Sequence, residues 1–283
     1  MQDKKIKVVT KRGFTLNAIE GDTITKAIIK NGEYDENTLN SFVSILGQIK
    51  PQTSLDVGAN IGNHCLLISQ HSKQTIAFEP VPLIFELLKN NIVENHLKNT
   101  IPVNKALSTI TATKEIYVPR LNLGCSSLEV KVGQGVSVKI QTVLGDDYLL
   151  QNHPDAKIDF IKMDVEGHEA EALLGLENTI NLHQPLLLIE WKNIHTLNMF
   201  KEQNLLKTLF SHYQFYSLTH TDNKKLYVRN LKGFLTRLYV KLFKKEWCLS
   251  NFESAKNYSN VYLVPERYNE VFNQFPYRPL ANN

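Results

Sequence analysis

Residues 53–63 read Thr53-Ser-Leu-Asp-Val-Gly-Ala-Asn-Ile-Gly-Asn63. A short apolar strand, Ser54 to Val57, carries Asp56 near its end, and a turn follows from Gly58, Asn60 and Gly62. The apolar run Cys65-Leu-Leu-Ile68 then opens a helix. Such a strand, tight turn and helix N-terminus let backbone approach a ligand. Nucleotide-like cofactors occupy turns of this kind in doubly wound α/β sheets. The spacing departs from the dinucleotide fingerprint, because Asn60 stands where the middle glycine belongs. Asn tolerates left-handed backbone, so the turn survives. Asp56 would repel a pyrophosphate but suits an ammonium or sulfonium group. The expected cofactor is therefore S-adenosylmethionine (SAM) rather than NAD.

About twenty residues on, Gln74 to Pro80 reads as a second strand with Glu79 at its tip. A carboxylate there is placed to accept hydrogen bonds from both ribose hydroxyls of a nucleoside. A third block is Ile158-Asp-Phe-Ile-Lys-Met-Asp-Val-Glu-Gly-His-Glu169. Its apolar part predicts a central strand, with Asp164 and Glu166 on one side if the chain stays extended. Gly167 ends the strand, and a helix runs from His168 to about Leu182. Two carboxylates and a histidine at the carboxyl end of a sheet strand stand where α/β enzymes do chemistry.

The sequence resembles the FkbM-type family of SAM-dependent methyltransferases. The matching pieces are Asp-Val-Gly-Ala-Asn-Ile-Gly (56–62), Phe-Glu-Pro-Val-Pro (78–82), Asn-Lys-Ala-Leu-Ser (104–108), Asp-Phe-Ile-Lys-Met-Asp-Val-Glu-Gly-His-Glu (159–169) and Leu-Ile-Glu-Trp (188–191). They occur in family order over roughly residues 30 to 220. The resemblance implies a class I methyltransferase fold, with a doubly wound, mostly parallel Rossmann-like sheet and its last strand antiparallel. It also implies, mostly, O-methylation of sugars or small natural products. In the family, a Gly-x-Tyr-Glu-like loop lies near the cofactor; here Gly32-Glu-Tyr-Asp35 has Asp in place of that Glu.

The expected cofactor contacts are Asp56, Gly58, Asn60, Gly62, Glu79, Pro80 and Asn104, the last toward the adenine edge. On the acceptor side, an alcohol must lose a proton to a base or to a metal that acidifies it. Asp164 is the first choice, with Glu166 to orient the acceptor and His168 as a second base whose ordinary pKa is near neutral. The bland alternative for His168 is a helix-start residue that interacts with Glu171 or solvent. Glu190 ends the next strand and completes an acidic rim, or else pairs with Lys162 or Lys192. Asp164, Glu166 and Glu190 offer oxygen ligands to a cation such as Mg²⁺, and the residue types leave its presence open. Trp191 either packs in the core or shapes the acceptor pocket. Asp146-Asp147 is expected at a helix start.

At 283 residues the chain suits one large α/β domain with insertions. Residues 1–52 are expected to form a hairpin around Lys11-Arg-Gly13 and two helices, Thr23 to Asn31 and Asn37 to Ile49. The SAM-binding domain then takes 53–283. The segment 109–143 favours short strands and reads as a β-rich insertion capping the pocket, with Arg120–Ser127 as a loop that meets substrate. A helix is expected over about 196–212, a strand at Gln214 to Leu218, and a last strand at Asn260 to Val264. The start of the chain lacks an apolar signal core, and no apolar run reaches membrane-spanning length. Three cysteines without Cys-x-x-Cys spacing read as free thiols. Together these point to a cytoplasmic protein.

The 32 basic and 28 acidic residues are unevenly spread. Eight basic and no acidic residues fall between Asn223 and Lys245, so the remainder is net negative. Leu231, Phe234, Leu235, Leu238 and Leu242 recur there at helical spacing. A basic helical insertion over about 223–258 follows. Such a stripe favours packing on the same domain or a second subunit; the alternative is contact with an anionic membrane surface. Nucleic acid is the weaker partner, since no RNA-binding motif accompanies the patch. The expected acceptor is a small molecule or glycan. The rival readings are an RNA or protein methyltransferase, a SAM-binding module without catalysis, and a nicotinamide dehydrogenase.

Overall fold

A computed structural model describes residues 4–119, 135–191, 194–220, 247–254, 256–275 and 277–278. The elements begin with β1 (Lys5–Val9), β2 (Thr15–Ile19), α1 (Thr23–Asn31) and α2 (Glu36–Ile49). The first half of the sheet alternates as β3 (Thr53–Val57), α3 (Cys65–His71), β4 (Gln74–Phe78), α4 (Pro82–Glu94) and β5 (Thr100–Val103). Next come β6 (Ala106–Ser108), β7 (Ala112–Pro119), β8 (Gly135–Leu144) and α5 (Gly145–Asn152). The second half runs β9 (Ile158–Met163), α6 (Glu169–Leu174), α7 (Glu177–His183), β10 (Leu186–Trp191), α8 (Ile194–Glu202) and α9 (Leu205–Thr208). It closes with β11 (Tyr213–His220), β12 (Trp247–Asn251), β13 (Tyr258–Pro265), α10 (Asn269–Phe272) and β14 (Tyr277–Arg278).

The main sheet has the order β14-β12-β11-β13-β10-β9-β3-β4-β5. Strands β5, β4, β3, β9 and β10 are mutually parallel. Strand β13 lies antiparallel between β10 and β11. This is the doubly wound, mostly parallel sheet with an inserted antiparallel strand that the resemblance implies. Its central strands are buried on both faces, so successive residues feed alternate cores. Leu55, Val57, Ile161 and Met163 pack in one cluster with α6, α7 and α8 residues. Phe160, Leu186 and Leu188 pack in the other, with α2, α3 and α4.

That second cluster also holds Val8, Phe14 and Leu16 of the N-terminal hairpin. Asn91 of α4 ties the hairpin to the glycine turn. Its Nδ2 donates to the carbonyl oxygens of Asn17 (3.1 Å) and Ile61 (2.7 Å), and its Oδ1 accepts from the Asn17 N–H (2.6 Å). Strands β6, β8 and β7 form a separate three-stranded sheet.

Several sequence expectations need correction. The helix drawn from His168 to Leu182 is two helices, broken at Gly175, where a side chain would overlap the Ser108 carbonyl. The helix drawn over 196–212 breaks at Asn204, whose φ is 52°. The end of the supposed helical insertion is a strand instead. Trp247 to Ser250 are buried, and β12 pairs antiparallel with β11. The edge of β11 presents a row of backbone N–H and C=O groups, and the extended run 247–251 pairs with them. Strand β14 follows β13, so β13 is antiparallel but not last. Asp146 lies in the first turn of α5, yet it caps α7 by accepting from the Asn178 and Thr179 N–H groups at 2.8 and 2.9 Å.

The basic segment 223–245, the loop 120–127 and Cys125 lie outside the described residues. Cys65 and Cys248 are buried free thiols. No helix among the described residues is long and apolar enough to cross a membrane.

Candidate active site

The carboxyl ends of β3, β4, β9 and β10 open on a cavity of about 290 Å³. Its floor is the turn after β3. Gly58 has φ +80° and Asn60 has φ 52°, so Asn60 takes the left-handed conformation anticipated for it. The Gly58 and Ala59 N–H groups both donate to the Phe78 carbonyl, at 3.0 and 2.9 Å. On the other side the Asp164 N–H donates to the Val57 carbonyl at 3.1 Å. The turn is thus clamped between the tips of β4 and β9, and a Cβ on Gly58 would overlap the Asp164 carbonyl oxygen. We expect Gly58→Ala to cost more than about 2 kcal/mol, because the conformation and the space both exclude it. Thermal melting checks this; a variant melting with the parent would contradict the clamp.

Glu79 follows β4 and is 5 % exposed. Its Oε2 accepts from the Asn60 N–H at 3.0 Å and its Oε1 from the Val81 N–H at 2.9 Å. Burial pushes its pKa up from 4.5 to about 7, against the pull of those two donors and of Lys162. The side chain of Asn104 donates to the carbonyls of Glu79 (2.9 Å) and Pro80 (3.0 Å).

The acidic rim is built by a second turn. Strand β9 ends at Met163 and Glu166 has φ 52°, so the extended geometry drawn from the sequence does not hold. The left-handed turn nevertheless gathers the carboxylates. Oxygens of Asp164, Glu166 and Glu190 lie within 4.8 Å of one another. Glu169, fully buried, holds this turn: its carboxylate accepts from the N–H groups of Val165 (3.1 Å) and Gly167 (3.1 Å) and from the Thr196 hydroxyl of α8. Burial raises the Glu169 pKa, with these donors opposing. Glu169 thereby links the β9 turn to the helix after β10, the strand that carries Glu190.

Beneath the rim runs a buried charge pair. Asp56 and Lys162 are register partners on adjacent parallel strands. Lys162 Nζ lies 3.5 Å from Asp56 Oδ1 and 3.6 Å from Asp164 Oδ2, and donates to the Gly58 carbonyl at 3.3 Å. Burial disfavours the ammonium form, but Asp56, Asp164 and Glu190 together outweigh it and raise the Lys162 pKa.

Of the residues drawn from sequence, Gly58, Asn60, Glu79, Pro80, Asp164, Glu166, His168 and Glu190 line the cavity. Three others do not. Asp56, expected to meet an ammonium or sulfonium, is 0 % exposed and faces Lys162. Gly62 packs toward Leu88. Asn104 turns its amide onto backbone carbonyls rather than to a base edge. His168 touches the cavity, but Nε2 lies 3.1 Å from Ser108 Oγ and Nδ1 3.6 Å from Glu171 Oε2. Both ring nitrogens are thus engaged within the protein, as the bland alternative had it. Trp191 is core, packed edge-on against Phe200 and Phe252. Tyr34 lines the cavity from the loop 32–35 that the resemblance put near the cofactor, whereas sequence reasoning missed Asn63, His64 and Glu169. A charged residue inside the apolar run 158–163 was the available signal for Lys162.

The methyltransferase FkbM domain model matches residues 56–215, more than half of the chain. The chain belongs to the FkbM methyltransferase family. Among curated relatives of this chain, the hexuronic acid methyltransferase AglP of Haloferax volcanii is 33 % identical over 125 residues, 44 % of this chain and 50 % of AglP. The match thus spans half of AglP's length. Methyltransferase sdnD of Sordaria araneosa is 27 % identical over 195 residues, 58 % of this chain and 72 % of sdnD. Among solved structures, methyltransferase FkbM of Methylobacillus flagellatus aligns at 18 % identity and a TM-score of 0.45, over 76 % of this chain and 44 % of that one.

Proposed function

We propose that this FkbM methyltransferase uses SAM to O-methylate a sugar or another small hydroxylated acceptor. The observation that carries the reading is one cavity with two differently built ends. A buried carboxylate, Glu79, stands over β4, and an acidic rim of Asp164, Glu166 and Glu190 stands over β9 and β10. The similarity to AglP supports a saccharide acceptor.

When bound, SAM supplies a methyl group on a sulfonium, transferred in line to the acceptor oxygen. The protein's part is alignment and proton removal. Glu79 accepts from the ribose hydroxyls, and Pro80 walls the adenine side. The Asp164 side chain is 34 % exposed, whereas Glu190 across the rim is 6 % exposed. Asp164 takes the acceptor proton as the oxygen–methyl bond forms. Glu166 and Glu190 orient the acceptor's other hydroxyls, and Lys162, 3.6 Å from Asp164 Oδ2, helps to fix that carboxylate in place. An oxygen-ligand cation such as Mg²⁺ suits the donor chemistry of the same three carboxylates. Held there, it would acidify the acceptor hydroxyl. Turnover that survives exhaustive chelation excludes that role.

The test is calorimetric titration with SAM and, separately, NADH. Saturable SAM binding without NADH binding supports the reading; a folded protein that binds no SAM sinks it. Glu79→Ala is expected to weaken SAM binding about 10–100-fold, the loss of hydrogen bonds to a charged acceptor.

Affinity should also follow the ionisation of Glu79. With a folded pKa near 7, the empty site holds the neutral form at lower pH, and binding must then release a proton. SAM affinity should therefore fall about tenfold from pH 8 to pH 6 in the parent and stay flat in the variant. In the ligand-free protein the sign is reversed: the raised pKa contributes stability fully below 4.5, and that is lost as pH rises through 7.

A further inference from the structure

The turn that presents the acidic rim is strained, and a buried side chain behind the cavity wall holds it. Glu166 has φ 52° and Gly167 φ 107°. A non-glycine residue in that region persists only where its surroundings impose the conformation. The Val57 carbonyl fixes the start of the turn by accepting the Asp164 N–H at 3.1 Å. Glu169, the first residue of α6, fixes the rest. Its Oε1 accepts from the N–H groups of Val165 (3.1 Å) and Gly167 (3.2 Å). Its Oε2 accepts from the Gly167 N–H at 3.1 Å and from the hydroxyl of Thr196 in α8. Glu169 and Thr196 are both fully buried, so water does not replace these bonds.

We propose that Glu169 is a positioning residue for methyl transfer: it aims Asp164 at the acceptor proton and, through Thr196, sets the span from Asp164 to Glu190 across the rim. This rests on the reading of Asp164 as the base. Asp164 opens the turn, and Glu166 stands at its strained centre. Glu190 belongs to β10, and α8 is the next helix along the chain. One buried carboxylate thus reaches both sides of a rim whose oxygens lie within 4.8 Å of one another. Glu169 lies behind the cavity wall rather than on it, so its effect on the reaction runs through the turn and α8. That effect is large in principle, because a base works only within hydrogen-bond reach of its proton, and a displacement of about 1 Å can cost about 100-fold in rate.

The experiment is a double-mutant cycle on kcat, read by single-turnover methyl transfer to an acceptor that the parent uses. Glu169→Ala should lower kcat about 10–100-fold while S-adenosylhomocysteine affinity stays within about threefold. Glu169→Gln should return kcat to within about fivefold of the parent, because its amide oxygen still accepts from Val165 and Gly167 and its amide nitrogen donates to Thr196. In an Asp164→Asn background, Glu169→Ala should cost less than about threefold more, since a base already lost cannot be misplaced. Thr196→Val should instead raise the acceptor KM about 3–10-fold and leave kcat nearly unchanged, because it loosens the Glu190 side of the rim. If Glu169→Ala does not fold, Glu169→Asp, which draws the carboxylate back from the turn, takes its place in the cycle. Losses that multiply in the double variant, or full turnover by the single variant, overturn the proposal. A parent protein that binds no SAM, or an Asp164→Asn variant at full turnover, overturns the reading beneath the proposal and the proposal with it.

Discussion

Lys162→Met is expected to destabilise the protein by about 3–5 kcal/mol, because it leaves a charge buried without its counter-ion. The charge is Asp56, which is 0 % exposed and whose two carboxylate oxygens take no hydrogen bond from the described residues. Its compensation is the Lys162 ammonium, 3.5 Å away. For a chain of this size the loss should lower the melting temperature by roughly 5–15 °C. The sign with pH follows from the raised Lys162 pKa: its contribution is complete below the ordinary lysine value of 10.5 and is lost only as pH rises beyond it. The destabilisation should therefore be nearly the same at pH 6 and pH 8. Adding Asp56→Asn to Lys162→Met removes the orphaned charge and should restore a large part of the loss, which a double-mutant cycle reads directly. A single variant that melts within a degree of the parent would mean that water or another group compensates Asp56.

Asp164→Asn is expected to lower kcat about 10²–10⁴-fold, the range of a positioned general base. Binding of S-adenosylhomocysteine should stay within about twofold, because Asp164 serves the acceptor rather than the nucleoside. The fold should persist, since Lys162 keeps Asp56 as its partner and the Asp164 N–H still donates to Val57. The assay is methyl transfer to a panel of hexuronic acids, neutral sugars and small alcohols, scored by single turnover. His168→Gln provides the contrast. With both ring nitrogens engaged by Ser108 and Glu171, His168 is expected to affect stability before chemistry. Full turnover by Asp164→Asn would remove Asp164 from the reaction and move the base to Glu166 or Glu190.

The local features of this fold are visible in the chain because their causes are local. The turn 58–62 declares itself through residues that accept left-handed backbone, and the structure finds Gly58 at φ +80° and Asn60 at φ 52°. The central strands announce themselves as apolar runs, as strands buried on both faces must. Glu79 and Glu190 sit at strand tips, so their places at the cavity follow from strand order alone. The strand β12 was hidden because its partner β11 lies across a long connection, and an apolar run without a partner reads equally as a helix. The breaks at Gly175 and Asn204 were hidden because the apolar period continues through them.

By itself, then, the sequence determined the family, the central parallel strands of the sheet, and the carboxylates that crown it. Tertiary structure alone decided what those carboxylates face. Asp56 turns from the expected ligand to Lys162 because β3 and β9 pair in one particular register. Asp164 and Glu166 meet through a left-handed turn held by Glu169, not through an extended strand. Asp35 reaches His64 because α2 and the start of α3 are brought onto the same wall. The first and last of these contacts join distant parts of the chain, whereas the second is local and set by the left-handed backbone at Glu166. Side-chain period dictates which residues can share a face, but only strand register and the packing of helices on the sheet bring specific charges within a few ångströms.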